Sequence, residues 1–308
     1  MRGAPYRPDP AEFNWNHAQI GPRKAGWPLV VDETLRDGLQ SPSVLDPPVE
    51  RKIEMLHAMA RIGVDVVSVG LPAAGKRAED DAVALAKAIA TGRLAIQATA
   101  AGRTTANDVN AIARVSQRAG IPVTAYAFVG SSPIRRYVEG WSLDFIVGCI
   151  RTASEAARGA GLPWRIVLED TTRTPPPALA TIFRAAVECG ASGIVLCDTV
   201  GHASPDGAAA LVTFARHQLA AFGGMALELD WHGHNDRGVA VSNALAAART
   251  GVDRVHGTAL GIGERTGNVR IDHLIAGLCD AGMREPPDER DMADYDALCA
   301  RALGWNAA

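Results

Sequence analysis

The sequence is short of several things, and each shortage excludes a class of protein. Its 308 residues hold no uninterrupted apolar run of about 18 residues, so no membrane span is expected. They hold no block of like charge: 31 Lys and Arg stand against 34 Asp and Glu, a formal net charge of −3. The basic face that would track a nucleic-acid backbone is therefore not expected. The opening stretch, Met1 to Lys24, is polar and proline-rich and lacks the apolar centre of a secretory signal. Cysteine is scarce, odd in number and widely spaced: Cys149, Cys189, Cys197, Cys279 and Cys299. We read these as free, buried thiols of a reducing, cytoplasmic setting and not as a disulfide framework. What remains is ordinary: 47% hydrophobic and 21% charged residues, enough apolar material for a large core. The length admits two domains, or one α/β barrel with extensions.

One unit repeats along the chain. A short, β-branched apolar run is followed by a polar turn and then an Ala-rich stretch with helical spacing. The runs are Pro28–Asp32, Val64–Gly70, Leu94–Thr99, Pro122–Val129, Arg165–Glu169, Gly193–Asp198, Ala226–Trp231 and Arg254–Ala259. Helical stretches such as Val49–Ile62 and Asp236–Thr250 lie between them. Gly63, Gly120, Gly190 and Gly251 stand where helices should end. Strands alternating with helices imply βαβ units and a parallel sheet. Eight such units predict a (β/α)8 barrel, an α/β fold, in preference to a doubly wound sheet, which would carry a glycine-rich turn after its first strand. The predicted layout is an N-terminal arm over residues 1–28 with Trp15 and Trp27, one barrel domain over 29–284, and a helical tail over 285–308.

A barrel places its chemistry just after each strand. The first run is followed by Asp32-Glu33-Thr34-Leu35-Arg36-Asp37-Gly38-Leu39-Gln40. The seventh ends in His232-Gly233-His234-Asn235-Asp236. Residues i and i+2 of a strand share a face, so His232 and His234 project together. Two imidazoles at that spacing suit a divalent cation, and Asp37 completes a set that leaves positions open for substrate. Arg36 adds a second positive centre. Together they suit an α-keto acid, whose carbonyl oxygen they would polarise. The plainer alternatives are two ordinary histidines and a salt bridge from Arg36 to a neighbouring carboxylate.

Three segments, Asp32–Gln40, His232–Asp236 and Gly261–Asn268, occur in this order. In this the chain resembles the DRE-TIM metallolyase superfamily, also called HMGL-like, which contains isopropylmalate synthase, homocitrate synthase, citramalate synthase and HMG-CoA lyase. The likeness runs from about Val30 to Leu278. It implies Asp37, His232 and His234 as ligands of a divalent cation (Mg, Mn, Zn or Co), with Asn268 contributing. It implies Arg36 as the group that polarises the keto oxygen and Thr199 as the donor to the keto-acid carboxylate. Glu169 would help deprotonate the acyl donor, and Gln40, Gly263 and Glu264 would contact substrate; for Glu169 an ion pair with Arg173 is the plainer alternative. The partners implied are an α-keto acid, an acyl-CoA and a second subunit, toward which Trp15 and Trp27 would reach.

The synthase branch fits better, because the loop from Gly257 to Asn268 lacks the cysteine expected of the lyases; Gly38-Leu39-Gln40, however, looks lyase-like. Departures are also plain. Ser68 stands where the family usually has a glutamate, and Arg135 where synthases tend to have histidine. His202 and His256 stand where other residues are expected, and either could replace a missing base. The segment that follows the barrel in synthases, with a histidine and a tyrosine for the acetyl-CoA site, and the regulatory domain are not recognised; the tail offers Tyr295, and a separate chain could supply the rest. Three readings follow: condensation of an acyl-CoA with an α-keto acid, a metal-dependent carbon–carbon lyase or aldolase, and a non-catalytic barrel subunit.

Overall fold

The computed structural model describes residues 27–305. Trp15 lies outside the described residues, and Trp27 is exposed. Eight strands close into a parallel barrel in chain order: β1 (Leu29–Asp32), β2 (Val66–Ser68), β3 (Gln97–Arg103), β4 (Val123–Gly130), β5 (Trp164–Glu169), β6 (Gly193–Asp198), β7 (Glu228–Gly233) and β8 (Arg254–Gly257). Closure is made by β1 against β8, with Leu29 opposite Arg254 and Asp32 opposite Gly257. The α/β barrel expected from the sequence is the fold observed.

Among the described residues ten α-helices surround it: α1 (Val49–Arg61), α2 (Lys76–Gly92), α3 (Ala106–Ala119), α4 (Pro133–Glu139), α5 (Leu143–Gly159), α6 (Pro176–Glu188), α7 (Pro205–Ala221), α8 (Ala240–Thr250), α9 (Ile271–Asp280) and α10 (Glu289–Leu303). Their starts are written in the sequence. Thr105, Ser132, Ser142, Ser204 and Asp288 each accept a hydrogen bond from a first-turn amide, satisfying a donor that the helix itself cannot. Their ends are too: Gly120 and Gly251 take the left-handed conformation, at φ 74° and 111°, that closes α3 and α8. No helix among the described residues is long and apolar enough to cross a membrane.

Several boundaries differ from the expected ones, most plainly at the third strand and the eighth helix. The third strand begins at Gln97 and runs to Arg103. Leu94 lies in the turn that closes α2, its amide donating to Ile89 O. Ala100, Ala101 and Gly102 pair with β4 despite weak strand propensity, so sheet packing overrides composition here. The eighth helix starts at Ala240 and not at Asp236, because the Asn235 side chain caps the preceding turn by accepting from Ala240 N at 3.2 Å.

The apolar core lies between barrel and helices, where Val30, Met55, Ile112, Ile166, Phe183, Leu211 and Trp231 are buried. The barrel lumen is different. Its apolar residues form a small cluster of Tyr126, Val195 and Cys197, with Val167 packed against it. The rest of its depth holds buried charge: Arg165, Asp230, Arg254 and His256. Barrel interiors are ordinarily filled with branched aliphatic side chains. The last helix, α10, packs on α1 and returns a side chain to the first strand, the Tyr295 hydroxyl donating to Asp32 Oδ2 at 2.5 Å. Tyr295 is fully buried there, so it is not the tail contribution to an acyl site that the sequence offered. All five cysteines are free; Cys197 and Cys299 are buried, but Cys149, Cys189 and Cys279 are only partly so.

Candidate active site

The site is assembled at the C-terminal mouth of the barrel. Strand β7 carries Asp230 and His232 inward on alternate positions, and His234, one residue past its end in an isolated bridge to Asn268, continues the alternation. The turn after β1 swings Asp37 across the lumen toward the last two. Asp37 Oδ2 lies 3.2 Å from His232 Nε2 and 3.6 Å from His234 Nε2, and all three side chains are buried. The three offer ligand atoms within 4.8 Å of one another. Behind them the Asn268 amide donates to Ile262 O at 3.1 Å, and its Oδ1 is buried with no partner. Gly263 allows this packing. A Cβ there would collide with Asn268 Nδ2 and lie 3.0 Å from Asp37 Oδ1, at a φ of 153°. The donor set fits a divalent cation: two imidazole Nε2 atoms and a carboxylate converge, and an orphaned amide oxygen stands by.

Electrostatics agree. Burial would raise the Asp37 carboxyl, but Arg36, His232 and His234 outweigh it and hold it well below the usual range. Burial, together with the neighbouring His232, brings His234 down to about 4, so it presents a neutral imidazole at neutral pH. Arg36 donates through Nε to Glu33 Oε2 at 2.6 Å and lies 3.4 Å from Asp37 Oδ2. The salt bridge named as the plainer alternative for Arg36 is therefore present, yet Arg36 also faces the cavity.

That cavity brings together most of the expected residues. Arg36, Asp37, Gln40, Glu169, Thr199, His232, His234 and Glu264 line it, along with Ser68. Gly263 and Asn268 stand behind Asp37 and not on the wall. Glu169 ends β5 with its carboxyl raised by burial, an effect that Arg135 partly offsets. The ion pair considered for it is not formed: Arg173 binds Asp170, at 2.6 and 2.7 Å. Thr199 Oγ1 accepts from Asp170 N at 2.8 Å, which leaves its hydroxyl proton to donate elsewhere. Arg135 pairs with Glu139 and stacks over Trp141, off the cavity wall. His202 is also off the wall.

The sequence reading missed three inward residues. Glu33 was passed over between Asp32 and Thr34, and Asp230 and Tyr126 were not singled out. His256 was noted but given no partner. The signal was available: the period-2 rule that pairs His232 with His234 also reaches back to Asp230, and in β8 it puts His256 on the face of Arg254.

The profile of the HMGL-like family matches residues 28–298. A 2-isopropylmalate synthase of Sediminispirochaeta smaragdinae is 34% identical over 250 residues, covering 81% of this chain and 48% of that protein. One of Methylacidiphilum infernorum is 33% identical over 254 residues, covering 81% and 48%. The chain thus spans about half the length of the curated relatives it matches. Among solved structures, the HMG-CoA lyase of Brucella melitensis superposes with a TM-score of 0.69 at 17% identity, over 90% of this chain and 99% of that one. An HMG-CoA lyase of Acinetobacter baumannii, in complex with coenzyme A and 3-methylmalate, gives 0.73 at 17% identity, over 91% and 92%. At that identity the likeness is one of fold.

Proposed function

The chain belongs to the HMGL-like family, and from that premise we propose that it is a divalent-metal-dependent acyltransferase. It would join the methyl carbon of acetyl-CoA, or the equivalent carbon of another acyl-CoA, to the keto carbon of an α-keto acid. The product is of the 2-alkylmalate type, and hydrolysis of the thioester releases CoA. The observation that carries this reading is the convergence of Asp37, His232 and His234 beside Arg36 in the barrel mouth.

Asp37, His232 and His234, with Asn268 behind them, would hold the cation (Mg, Mn, Zn or Co). When bound, the cation orients the keto acid and acts as a Lewis acid toward its oxygens. The protein's own groups do the rest. Arg36 presents its guanidinium to the keto oxygen and stabilises the charge that develops there. Thr199 donates its free hydroxyl proton to the keto-acid carboxylate. Glu169, kept basic enough by its partial burial, accepts a proton from the acyl donor. Gln40 and Glu264, exposed at the rim, face the thioester, while Gly263, behind Asp37, supports the ligand loop instead of meeting substrate. The catalytic unit is the barrel over residues 29–284, with 285–308 as its tail. A cytoplasmic homodimer is the setting we propose.

The chain's relatives named 2-isopropylmalate synthase support condensation over the lyase direction. So does the loop from Gly257 to Asn268, which has no cysteine. The nearest lumen thiol, Cys197, is buried and held well above the usual thiol range, a poor acid–base group. The test is release of free CoA from acetyl-CoA with a panel of 2-oxoisovalerate, pyruvate, 2-oxoglutarate and oxaloacetate. We expect release that depends on one keto acid, stops with chelator, and is lost in His232→Ala along with bound metal. A protein that binds metal but cleaves 3-hydroxy-3-methylglutaryl-CoA, with no keto-acid-dependent release, would be a lyase instead.

A further inference from the structure

From the cavity wall, where Glu33, Tyr126 and His256 stand, a chain of charges that the roles above do not use runs into the lumen. Asp230 is its lower anchor. Its Oδ1 accepts from Arg165 Nη1 at 2.9 Å, and its Oδ2 accepts from the Tyr126 hydroxyl at 2.9 Å. Arg254 donates in turn to the Tyr126 hydroxyl at 3.2 Å. His256 comes next. Its Nε2 lies 3.4 Å from Asp230 Oδ2, and its Nδ1 lies 3.2 Å from Glu33 Oε1. The other oxygen of Glu33 accepts from Arg36 Nε. Asp230, His256 and Glu33 are 0%, 1% and 2% exposed.

Two readings of His256 are open, and geometry separates them. As a base it would need a ring nitrogen facing the cavity. Each nitrogen faces a carboxylate: Nε2 is within hydrogen-bond distance of Asp230, and Nδ1 meets Glu33 as an electrostatic contact without hydrogen-bond geometry. The ring is thus an ionic link between two acids at the cavity wall. The need for such a link is clear at Arg36. A guanidinium on a long side chain, in a turn, stabilises developing charge only if it is held within a fraction of an ångström of the productive place. Arg36 has two acidic neighbours. Asp37 is the more distant and is committed to the histidine pair. Glu33 is the close one, and nothing in its own turn fixes the Oε1 side.

We propose that Glu33 and His256 are positioning residues for Arg36. The line Asp230–His256–Glu33 transmits the rigidity of the barrel floor to the guanidinium at its mouth. This rests on the reading of Arg36 given above, so its test must be able to fail separately.

A double-mutant cycle does this, because residues acting through one another are non-additive and independent ones are additive. The cycle combines His256→Gln with Arg36→Lys, and is read on kcat and KM for keto-acid-dependent CoA release. It is read a second time on the affinity of the Mg²⁺-loaded protein for oxalate, a planar dianion that mimics the keto acid's two oxygens. We expect His256→Gln to lower kcat by about 10- to 100-fold, the usual cost of removing an outer-shell partner, with KM for acetyl-CoA unchanged. We expect it to weaken oxalate by roughly tenfold. In the Arg36→Lys background the same change should cost less than about threefold in both readings. Mg²⁺ affinity by calorimetry should stay within about threefold throughout, because the ligands are untouched. Equal costs in both backgrounds would overturn the proposal. Should His256→Gln not fold, Glu33→Gln enters the same cycle. It keeps an acceptor for Arg36 Nε while losing the charge, and the same additivity criterion decides. A wild-type protein that releases no CoA with any acceptor sinks the transferase reading alone; the oxalate cycle then decides the positioning role.

Discussion

Single residues carry two sharp expectations. Gly263 is the backbone against which Asn268 and Asp37 pack. Gly263→Ala puts a methyl group into that contact, and divalent-cation affinity measured by calorimetry should fall by at least about tenfold. Unchanged affinity would mean that Asn268 and the loop do not support the ligands. Asp32 gives the second. Burial pushes its carboxyl up to about 6, from 3.8, against the hydrogen bonds from Thr34 and Tyr295. The fold therefore favours the protonated form. This group's contribution is fully present below about pH 4 and is lost as pH rises through about 6, to the extent of about 3 kcal/mol. Denaturant unfolding of Asp32→Asn should lack that decline; an unaltered slope would place the titration elsewhere. Legibility at this scale followed chain locality. The candidate pair His232 and His234 was readable because both fall at the end of one strand, and Asp37 because a turn after a barrel strand is a known place for chemistry. The inward position of Asp230 follows from the same alternation, but its role and that of Glu33 were not readable, because both depend on His256, contributed by a strand more than 200 residues from Glu33 in one case and by the neighbouring strand in the other.

Elements were legible where the chain punctuates itself. The glycines after α3 and α8 marked helix ends. The third strand was not, since Ala100–Gly102 is built of residues that only the neighbouring ladder makes extended. Two substitutions test these elements. Thr105→Ala removes the hydroxyl that accepts from Asp108 N and should cost about 1 kcal/mol of stability, without effect on metal binding. Tyr295→Phe removes the link from α10 to β1. A buried acceptor loses one partner, so we expect a loss of about 1–2 kcal/mol, seen as a lower Tm with cation affinity intact. A loss of cation affinity in Tyr295→Phe would show that α10 reaches the site after all.

The proposed cation would couple to folding at the scale of the whole molecule. A ligand that binds only the folded chain stabilises it, by about 2.7 kcal/mol at a hundred times its dissociation constant. Mg²⁺ or Mn²⁺ should therefore raise Tm by several degrees in the wild type, and His232→Ala should abolish the shift. A shift that survives in His232→Ala would move the cation away from β7. The barrel as a class was readable from eight repeats. What no local pattern announced is that its centre is charged, because burial of Arg165, Asp230, Arg254 and His256 becomes affordable only once all of them meet.

The closure of β1 on β8 has a consequence for how the protein is made. Leu29–Asp32 emerges among the first described residues, but its sheet partner, Arg254–Gly257, and the Tyr295 hydroxyl that meets Asp32 come near the last. During synthesis the first strand must wait, with one hydrogen-bonding edge open, while more than 200 residues are added. A ribosome-bound chain is an incomplete ring with an exposed seam, and Glu33 has no histidine to meet until the ring shuts. The active site and the barrel are thus finished by the same late event.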